Sequence, residues 1–244
     1  MDPPSIPTVT PLTARAHAFV DDLDRPRLSA DDHHHLARVV RLAPGDRVTV
    51  GDGAGRWRAA RMGRGPDLDA VGEIVVDPRP TPSLTVAFAL VKGERPELTV
   101  QKLTEIGIDR VIPFVAERSV VRWDEAKAGK QARRLTDIAR QAAMQCRRTW
   151  LPQVEAVGAF ADVVGLPGAA LADIAGDGPS LDRPTVLVGP EGGWSAAERA
   201  VGLPRLRLGA HVLRAETAAM TAGALLAALR ADLVAERSSS GHPV

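Results

Sequence analysis

The sequence has little cysteine and no long apolar run, and each absence excludes a class of protein. Its 244 residues include one cysteine, Cys146, which excludes an internal disulfide and a cysteine-cluster zinc site. No apolar run approaches the length of a membrane span. The first residues, MDPPSIPTVTP, lack the basic and apolar regions of a secretory signal. We therefore predict a cytoplasmic protein with no membrane partner and no metal site.

The net charge is also close to zero, at +1, and by itself indicates no partner. The charge is unevenly distributed along the chain. Lys92 to Arg148 contains 13 basic and 8 acidic residues, whereas the first 80 residues contain 11 arginines and 12 acidic residues. A local positive excess is what a surface facing RNA requires, although a solvated helix face has the same composition.

The N-terminal part of the chain is predicted to form a small β-domain. Short apolar runs, HAFV, RVTV, RWRAARM and VGEIVV, are separated by turn signals. One of these signals, GDGAG at Gly51 to Gly55, joins two β-like runs and opens no helix, which indicates a hairpin rather than a nucleotide loop. The stretch Asp77 to Ser83 contains several prolines and is typical of a linker. We therefore expect one domain over residues 1–80 and another over residues 81–244.

Within the β-domain, the run DDHHHLARVVRL at Asp31 to Leu42 predicts a short helix. Its apolar positions are expected to face the β-domain: Leu36, Val39 and Val40. Three adjacent histidines on a helix cannot all face one metal ion, so no metal site is expected here. Arg38 and Arg41 are expected to stay accessible and are candidate RNA contacts.

After the linker, predicted strands and helices alternate. The strands are LTVAFALV, RVIPFV, AALADIA, TVLVG and RLRLG, and the helices are PELTVQKLTEIG, Glu125 to Arg148 and Glu216 to Glu236. This alternation predicts an α/β fold with a mostly parallel sheet and helices on both faces. Ligands of such sheets bind beyond the carboxyl ends of the strands. We therefore expect three loops, LADIAG, VGPEGGW and LGAHVLRAET, to converge on one pocket.

The segment LVGPEGGWSAAE is the most informative of these loops. Its glycines let main-chain groups approach a ligand closely, and Ser195 with Glu198 forms a capping box that opens a helix. An ordinary tight turn is the alternative. The chain contains neither a P-loop nor a dinucleotide fingerprint, which disfavours a nicotinamide oxidoreductase. Glu191 would also repel a pyrophosphate, so a neutral or cationic ligand is favoured.

Several segments together carry a family resemblance. VGPEGGWSAAE followed by LGAHVLRAETAAM resembles the paired signature of SPOUT methyltransferases, and specifically the ribosomal RNA small subunit methyltransferase E family. KGERPELTVQKLTEIGIDRVIPFVAERSVVRW, IARQAAMQCRRTWLPQV and RVVRLAPGDRVTVGDGAG resemble further segments of that family, in the same order.

The resemblance implies an architecture, a cofactor and a reaction. It implies a small N-terminal PUA-like β-barrel that binds RNA, a C-terminal SPOUT domain with a trefoil knot, and a homodimer formed through the C-terminal domain. It also implies S-adenosylmethionine as methyl donor, 16S rRNA of the small ribosomal subunit as partner, and methylation of N3 of the uridine at position 1498.

The resemblance and the placement of charges also nominate site residues. The candidate catalytic residues are Arg214, Glu216 and Glu191, which lie in the two signature loops. The cofactor-binding candidates, besides a less well-matched loop near Ala172 to Ile174, are Val188, Gly189, Pro190, Glu191, Gly192, Gly193, Leu208, Gly209, Val212, Leu213, Arg214, Thr217 and Ala218. The RNA-binding candidates are Arg38, Arg41, Lys92, Arg95, Arg140, Arg147 and Arg148.

Two sets of alternatives remain at this stage. Glu216 is also favourable in the first turn of a helix, where it could simply pair with Arg214. A SPOUT methyltransferase could act on another RNA, such as tRNA or 23S rRNA, and a protein of the same fold could bind RNA without catalysis. Cys146 is not expected to act as a nucleophile, because methylation of a nitrogen requires no covalent adduct with the base.

Overall fold

The computed structural model describes residues 9–93 and 95–236. Within these ranges the chain forms two compact units. The first unit contains the residues up to Arg79 together with Arg140–Leu151, and the second contains the remaining residues. The predicted division at residue 80 did not assign Arg140–Leu151, here called the returning segment, to the first unit. No helix of the described residues is both long enough and apolar enough to span a membrane.

The first unit is built on a four-stranded sheet. Its strands are β1 (His17–Phe19), β2 (Arg47–Gly51), β3 (Arg56–Met62) and β4 (Leu68–Val76), in the order β1-β2-β3-β4. β1 pairs with β2 in parallel, and the other two pairs are antiparallel. GDGAG connects β2 to β3 as the predicted hairpin, in which the Asp52 main-chain nitrogen donates to the Arg56 carbonyl at 3.0 Å.

The predicted helix of this unit is shorter than expected and changes type. Helix α1 (Ala30–His34) runs into a π-helical turn over His35–Val39. Leu36 is buried as predicted, but Val39 is 64% exposed and Val40 is 38% exposed, so the prediction for these two valines was wrong. The wider π-helical turn rotates the following residues away from the positions that a continuous α-helix would give them.

The core of the first unit combines the sheet with residues that are distant in sequence. Val48, Val50 and Met62 of the sheet pack in one cluster with Ala143 and Met144 of the returning segment. All five side chains are buried. Burial of this apolar surface is the main force that ties the returning segment to the β-domain.

The second unit is built on a parallel sheet, as predicted, with seven strands rather than the five that the sequence indicated. Its strands are β5 (Thr85–Ala89), β6 (Arg110–Val115), β7 (Gln153–Val154), β8 (Gly158–Ala159), β9 (Ala169–Asp177), β10 (Thr185–Val188) and β11 (Arg205–Leu206). The order is β11-β9-β10-β5-β6-β7, and β8 also pairs with β6. Every one of these pairs is parallel.

Helices cover this sheet on both faces, and its central strands β5 and β10 are buried at every position. The helices are α2 (Arg95–Ile106), α3 (Glu125–Cys146), α4 (Phe160–Val164), α5 (Ala196–Ala200) and α6 (Ala215–Arg230). In β5, Val86 and Phe88 pack on one face with Leu103 of α2 and Leu226 of α6. Ala87 and Ala89 point to the other face, into a cluster that contains Val163 of α4. The two-sided burial is typical of a parallel sheet.

Two helices end earlier than predicted. Helix α3 ends at Cys146 instead of Arg148, and α6 ends at Arg230 instead of Glu236. Each last turn is closed by a six-to-one hydrogen bond, from the Arg148 nitrogen to the Ala143 carbonyl and from the Leu233 nitrogen to the Ala228 carbonyl. The residues that precede these two donors, Arg147 and Asp232, have φ angles of 64° and 54°. Residues other than glycine seldom adopt this conformation, so the sequence carried no stop signal.

Candidate functional site

One cavity of about 230 Å³ lies at the carboxyl ends of neighbouring strands in the second unit. The three predicted loops supply its walls, through residues 172–174, members of 188–194 and members of 208–218. The first of these segments is a bulge within β9 rather than a loop after it. Leu171 and Asp177 pair with the adjacent residues Arg205 and Leu206 of β11, so residues 172–176 are displaced from the ladder.

Most of the predicted cofactor-binding residues line this cavity. Those in its walls are Val188, Gly189, Pro190, Glu191, Gly193, Leu208, Gly209, Val212, Leu213 and Ala218. The other three, Gly192, Arg214 and Thr217, are exposed and are not among the lining residues. The carbonyl of Gly192 accepts a hydrogen bond from Arg118 Nη1 at 3.0 Å. The assignment of these residues to a cofactor stays a prediction.

The loop after β10 is held rigidly. The Gly193 nitrogen donates to the Pro190 carbonyl at 2.8 Å, and Gly193 has a φ of 67°, a conformation that favours glycine. The predicted capping box forms at the start of α5, where Ser195 and Glu198 are both buried. Glu198 also accepts a hydrogen bond from the Glu117 nitrogen at 2.9 Å. The loop is therefore fixed before any ligand arrives.

Trp194 ties two walls of the cavity together. Its indole Nε1 donates to the Ala172 carbonyl at 3.0 Å, which anchors the β9 bulge. The ring is buried and stacks on Phe114, with 6.2 Å between centroids and 5° between planes. A Cβ at Gly189 would lie 3.0 Å from the Trp194 ring, closer than real Cβ atoms normally approach. A side chain at Gly189 would therefore need the buried Trp194 ring to shift by a few tenths of an ångström.

A charged cluster surrounds Glu191 and joins it to the start of α6. Arg95 Nη1 lies 2.7 Å from Glu191 Oε1, and Arg95 Nε lies 3.7 Å from Glu216 Oε1. The Glu216 side chain is 14% exposed. Its Oε2 is buried and has no hydrogen-bond partner among the described residues. Arg95, which was predicted to contact RNA, thus connects the two candidate catalytic carboxylates.

The alternative role of Arg214, an ion pair with Glu216, does not match this geometry. Arg214 is exposed and is the N-cap residue of α6, with no capping hydrogen bond from its side chain. Within the described residues, the ion-pair partner of Glu216 is Arg95 rather than Arg214. Glu216 does lie in the first turn of α6, where its charge is favourable for the helix dipole.

Two of the candidate RNA-binding arginines are engaged in contacts inside the first unit. Arg140 makes a two-point ion pair with Asp32, at 2.7 and 3.0 Å, and donates to the Phe19 carbonyl. Although burial acts to raise it, hydrogen bonds from Arg140 and Ser29 hold the pKa of Asp32 below its usual value. Arg147 donates to carbonyls of the N-terminal segment, those of Pro11, Leu12 and Ala14. Of the remaining candidates, three are exposed, Arg38, Arg41 and Lys92, and Arg148 is half-buried.

Two polar side chains of the cavity, Arg199 and His211, were absent from the predicted site residues, and a third, Asp173, lies in the less well-matched loop near Ala172 to Ile174. Asp173 lies in the β9 bulge, and Arg199 lies on α5, with 3.7 Å between Asp173 Oδ2 and Arg199 Nη2. The sequence did place Asp173 within LADIAG, so an acidic residue in a predicted ligand loop was the available signal. No comparable signal marked Arg199, which follows a capping box like any solvated helix residue. Among the described residues, no group of His, Cys, Asp and Glu side chains is arranged to hold a metal ion.

Comparison with known proteins identifies the class of this fold and site. The family model of the RNA methyltransferase domain matches residues 78–227. The model of the RNA methyltransferase PUA domain matches residues 28–66. The parallel sheet, the cavity at its carboxyl edge and these two matches define an RNA methyltransferase with a PUA domain.

Individual relatives agree with this class. Ribosomal RNA small subunit methyltransferase E of Mycobacterium bovis is 36% identical over 219 residues, which cover 80% of this chain and 83% of the relative. The protein of that name from Bacillus subtilis is 30% identical over 226 residues, covering 80% and 86%. The chain therefore belongs to the ribosomal RNA small subunit methyltransferase E family, as the sequence resemblance indicated.

Two solved structures resemble most of the chain. One is a ribosomal RNA small subunit methyltransferase E from Neisseria gonorrhoeae bound to S-adenosylmethionine. It is 25% identical, covers 88% of this chain and 97% of its own, and has a TM-score of 0.76. The other is a methyltransferase from Legionella pneumophila in complex with S-adenosylmethionine. It is 27% identical, covers 87% of this chain and 96% of its own, and also has a TM-score of 0.76. The predicted α/β fold with an N-terminal PUA domain is confirmed.

Proposed function

We propose that this protein transfers a methyl group from S-adenosylmethionine to N3 of the uridine at position 1498 of 16S rRNA in the small ribosomal subunit. Membership of its family makes it an S-adenosylmethionine-dependent methyltransferase of small-subunit rRNA. The choice of uridine, of N3 and of this position rests on the segments that resemble the family. The observation that carries the proposal is the cavity, which three segments line and to which two of them bring glycines beside the Glu191 carboxylate.

The cavity residues fit the chemistry of S-adenosylmethionine. Gly189, Gly193 and Gly209 leave main-chain groups accessible for the adenine and the methionine tail. Apolar side chains, among them Val188 and Leu208, supply a surface on which an adenine ring can pack. Glu191 places a negative charge in the wall, which attracts a sulfonium cation and repels a pyrophosphate. When bound, S-adenosylmethionine supplies an electrophilic methyl group.

The side chains of the charged cluster have distinct roles in the proposed reaction. N3 of uracil carries a proton and attacks poorly until that proton leaves. Glu216 Oε2, buried and without a partner, is an acceptor for this proton. Arg95 fixes the carboxylates of Glu216 and Glu191 in one orientation through its two ion pairs. Arg214, exposed beside Glu216, stabilises the uracil anion or holds an RNA phosphate.

Mapping the modified base tests this proposal. Small-subunit rRNA from a strain that lacks the gene would be incubated with the purified protein and labelled S-adenosylmethionine, and modified positions would be mapped by mass spectrometry and primer extension. We expect one N3-methyluridine at the proposed position, with no methylation of tRNA or 23S rRNA in the same reaction. Methylation of a different RNA, or of a different atom, would contradict it. Binding of RNA and cofactor without transfer would identify a non-catalytic RNA-binding protein.

We further propose that the protein is a homodimer formed through its C-terminal domain. The family resemblance supports this arrangement. Light scattering coupled to size-exclusion chromatography gives the mass directly, and the 25.8 kDa chain should elute with twice that mass. A monomer mass at micromolar concentration would contradict the proposal.

A further inference from the structure

The cavity wall contains two charged groups. Glu191 belongs to the first, in which its carboxylate is joined through Arg95 to Glu216. Asp173 and Arg199 form the second, and both residues line the cavity. No ion pair among the described residues connects the two groups. A ligand that fills the cavity therefore meets two separate sets of charges.

Asp173 is held in place and retains hydrogen-bonding capacity. Its side chain is only 10% exposed. Oδ1 accepts a hydrogen bond from the Ala175 nitrogen at 3.0 Å, within the β9 bulge. Oδ2 lies 3.7 Å from Arg199 Nη2, which is close enough for attraction between charges but too long for a hydrogen bond. The lone pairs of Oδ2 are therefore available to a ligand.

The main chain beside Asp173 is also fixed, by Trp194 from the loop after β10. The hydrogen bond from Trp194 Nε1 to the Ala172 carbonyl immobilises the residue that precedes Asp173. Trp194 is itself buried against Phe114. An acceptor that is oriented before binding costs little ordering entropy when a ligand arrives. Asp173 thus has the features of a recognition residue rather than of a solvated surface acid.

We infer that Asp173 is a cofactor-binding residue that accepts hydrogen bonds from the ribose hydroxyls of S-adenosylmethionine, with Arg199 as the charged neighbour of its carboxylate. This inference rests on the proposed function. The sulfonium and its methyl group are assigned to Glu191, whose charged group includes the carboxylate that serves the RNA base. Asp173 belongs to the separate charged group and is left for the nucleoside. The strongest donors of the nucleoside are the two adjacent ribose hydroxyls, which suit a carboxylate acceptor.

Calorimetric titration of the protein with cofactor analogues tests the inference without measuring activity. The probes are S-adenosylhomocysteine and its 2′-deoxy and 3′-deoxy forms, and the variants are Asp173→Ala and Asp173→Asn. Asp67→Asn is the matched control, because Asp67 pairs with Arg27 at 2.6 Å in the first unit, outside the cavity. We expect Asp173→Ala to weaken binding of S-adenosylhomocysteine by about 10- to 100-fold, the value of a hydrogen bond to a charged group. Asp67→Asn should bind like the native protein.

The deoxy analogues identify the group that Asp173 contacts. The native protein should bind at least one deoxy form about 10-fold or more weakly than it binds S-adenosylhomocysteine. The Asp173→Ala variant should lose most of this preference, because it lacks the carboxylate that accepts from the ribose hydroxyl. Equal discrimination in both proteins would overturn the inference, and would place Asp173 at another part of the cofactor. Unchanged affinity in Asp173→Ala would overturn it as well.

Two further variants separate recognition from folding. Trp194→Phe keeps an aromatic ring but removes the Nε1 donor. It should therefore weaken the binding of S-adenosylhomocysteine less than Asp173→Ala does, and its thermal unfolding should stay cooperative. Arg199→Gln should likewise give a smaller loss than Asp173→Ala. Full affinity in Asp173→Asn together with loss in Asp173→Ala would also overturn a role for the charge. If the native protein binds no S-adenosylmethionine, the proposed function itself fails.

Discussion

At the scale of single residues, Glu216 and Arg95 form the centre of the proposed chemistry. Arg95 is the first residue of α2, where a positive charge opposes the helix dipole. Its position is better explained by the two carboxylates that it holds than by the stability of α2. We infer that Arg95 acts as a positioning residue, although its predicted role was contact with RNA.

Replacement of Glu216 by Gln should reduce kcat by about 10²- to 10⁴-fold, the usual contribution of a general base, while S-adenosylmethionine still binds. The change keeps the size of the side chain but removes its capacity to take a proton. Single-turnover methyl transfer and calorimetry measure the two effects separately. Glu97→Gln is the control, since Glu97 is similarly buried and pairs with Arg134 at 3.3 Å. Full turnover in both Glu216→Gln and Arg214→Ala would remove these residues from the chemistry.

Cys146 should be dispensable for the reaction. It is half-buried near the end of α3, and methylation of a nitrogen forms no bond between enzyme and base. We expect Cys146→Ser to fold and to methylate rRNA at the native rate, as measured by incorporation of labelled methyl groups. A folded but inactive Cys146→Ser protein would show that the residue takes part in catalysis.

The buried side chain of His17 should make the stability of the first unit depend on pH. Burial, followed by the charge of Arg147, lowers the pKa of His17 from 6.5 to about 4. Its Nδ1 lies 2.9 Å from Thr49 Oγ1, and its buried Nε2 has no partner among the described residues. The unfolded chain therefore binds a proton between pH 6.5 and 4 that the folded chain does not. Stability should decrease as the pH falls through this window, by roughly 3 kcal/mol in total.

Chemical denaturation between pH 7 and pH 4 measures this effect. The slope of the unfolding free energy against pH should be smaller in His17→Gln, which has no ionisable ring. Asp32 does not interfere in the upper part of the window, because its pKa lies below the usual value near 3.8 and its contribution is lost only at lower pH. An identical slope in the native protein and His17→Gln would show that other groups are responsible.

At the scale of elements, the sequence predicted the order of strands and helices better than their irregularities. The strands of the second unit were predictable because a parallel sheet buried on both faces requires continuous apolar runs. The π-helical turn that exposes Val39 and Val40 was not predictable, since it depends on hydrogen bonds rather than on composition. The same holds for the bulge at residues 172–176, which is set by pairing with β11. The sequence therefore indicated the segment that contains Asp173 without singling out that residue.

The packing of the loop after β10 against Trp194 leads to a prediction for Gly189. In Gly189→Ala the new Cβ would lie 3.0 Å from the buried Trp194 ring, so we expect a loss of roughly 1–3 kcal/mol in unfolding free energy. Gly209→Ala is the control, because a Cβ there meets no atom within 4 Å. Thermal or urea denaturation compares the two. Equal stabilities would show that Trp194 moves freely, which its stacking on Phe114 argues against.

At the scale of the whole molecule, the two-part organisation followed from the change of hydrophobic pattern after the proline-containing linker. The family resemblance supplied the methyl donor, the trefoil knot and the homodimer, because no pattern of composition or spacing encodes them. The division at residue 80, the cytoplasmic location and the RNA contacts remain predictions. The return of Arg140–Leu151 to the first unit could not be foreseen, since a continuous helix gives no sign that its two ends belong to different cores.

RNA binding should depend strongly on salt, because the candidate contacts are cations that displace counterions from phosphates. Arg38, Arg41 and Lys92 are the exposed candidates. We expect Arg38→Gln with Arg41→Gln to weaken binding of 16S rRNA and to lower the slope of log affinity against log salt by about 1–2 units. Arg27→Gln, which removes an exposed arginine already paired with Asp67, is the control. Affinity that barely changes with salt would contradict an electrostatic interface.

The central claim is that bare main chain from three segments holds the methyl donor in one cavity of the second unit. A crystal structure of the protein soaked with S-adenosylmethionine tests this most directly. We expect density for the whole cofactor against Gly189 and Leu208, with the sulfonium near Glu191 and the ribose near Asp173. A cofactor bound elsewhere on the chain, with this cavity filled only by water, would contradict the claim.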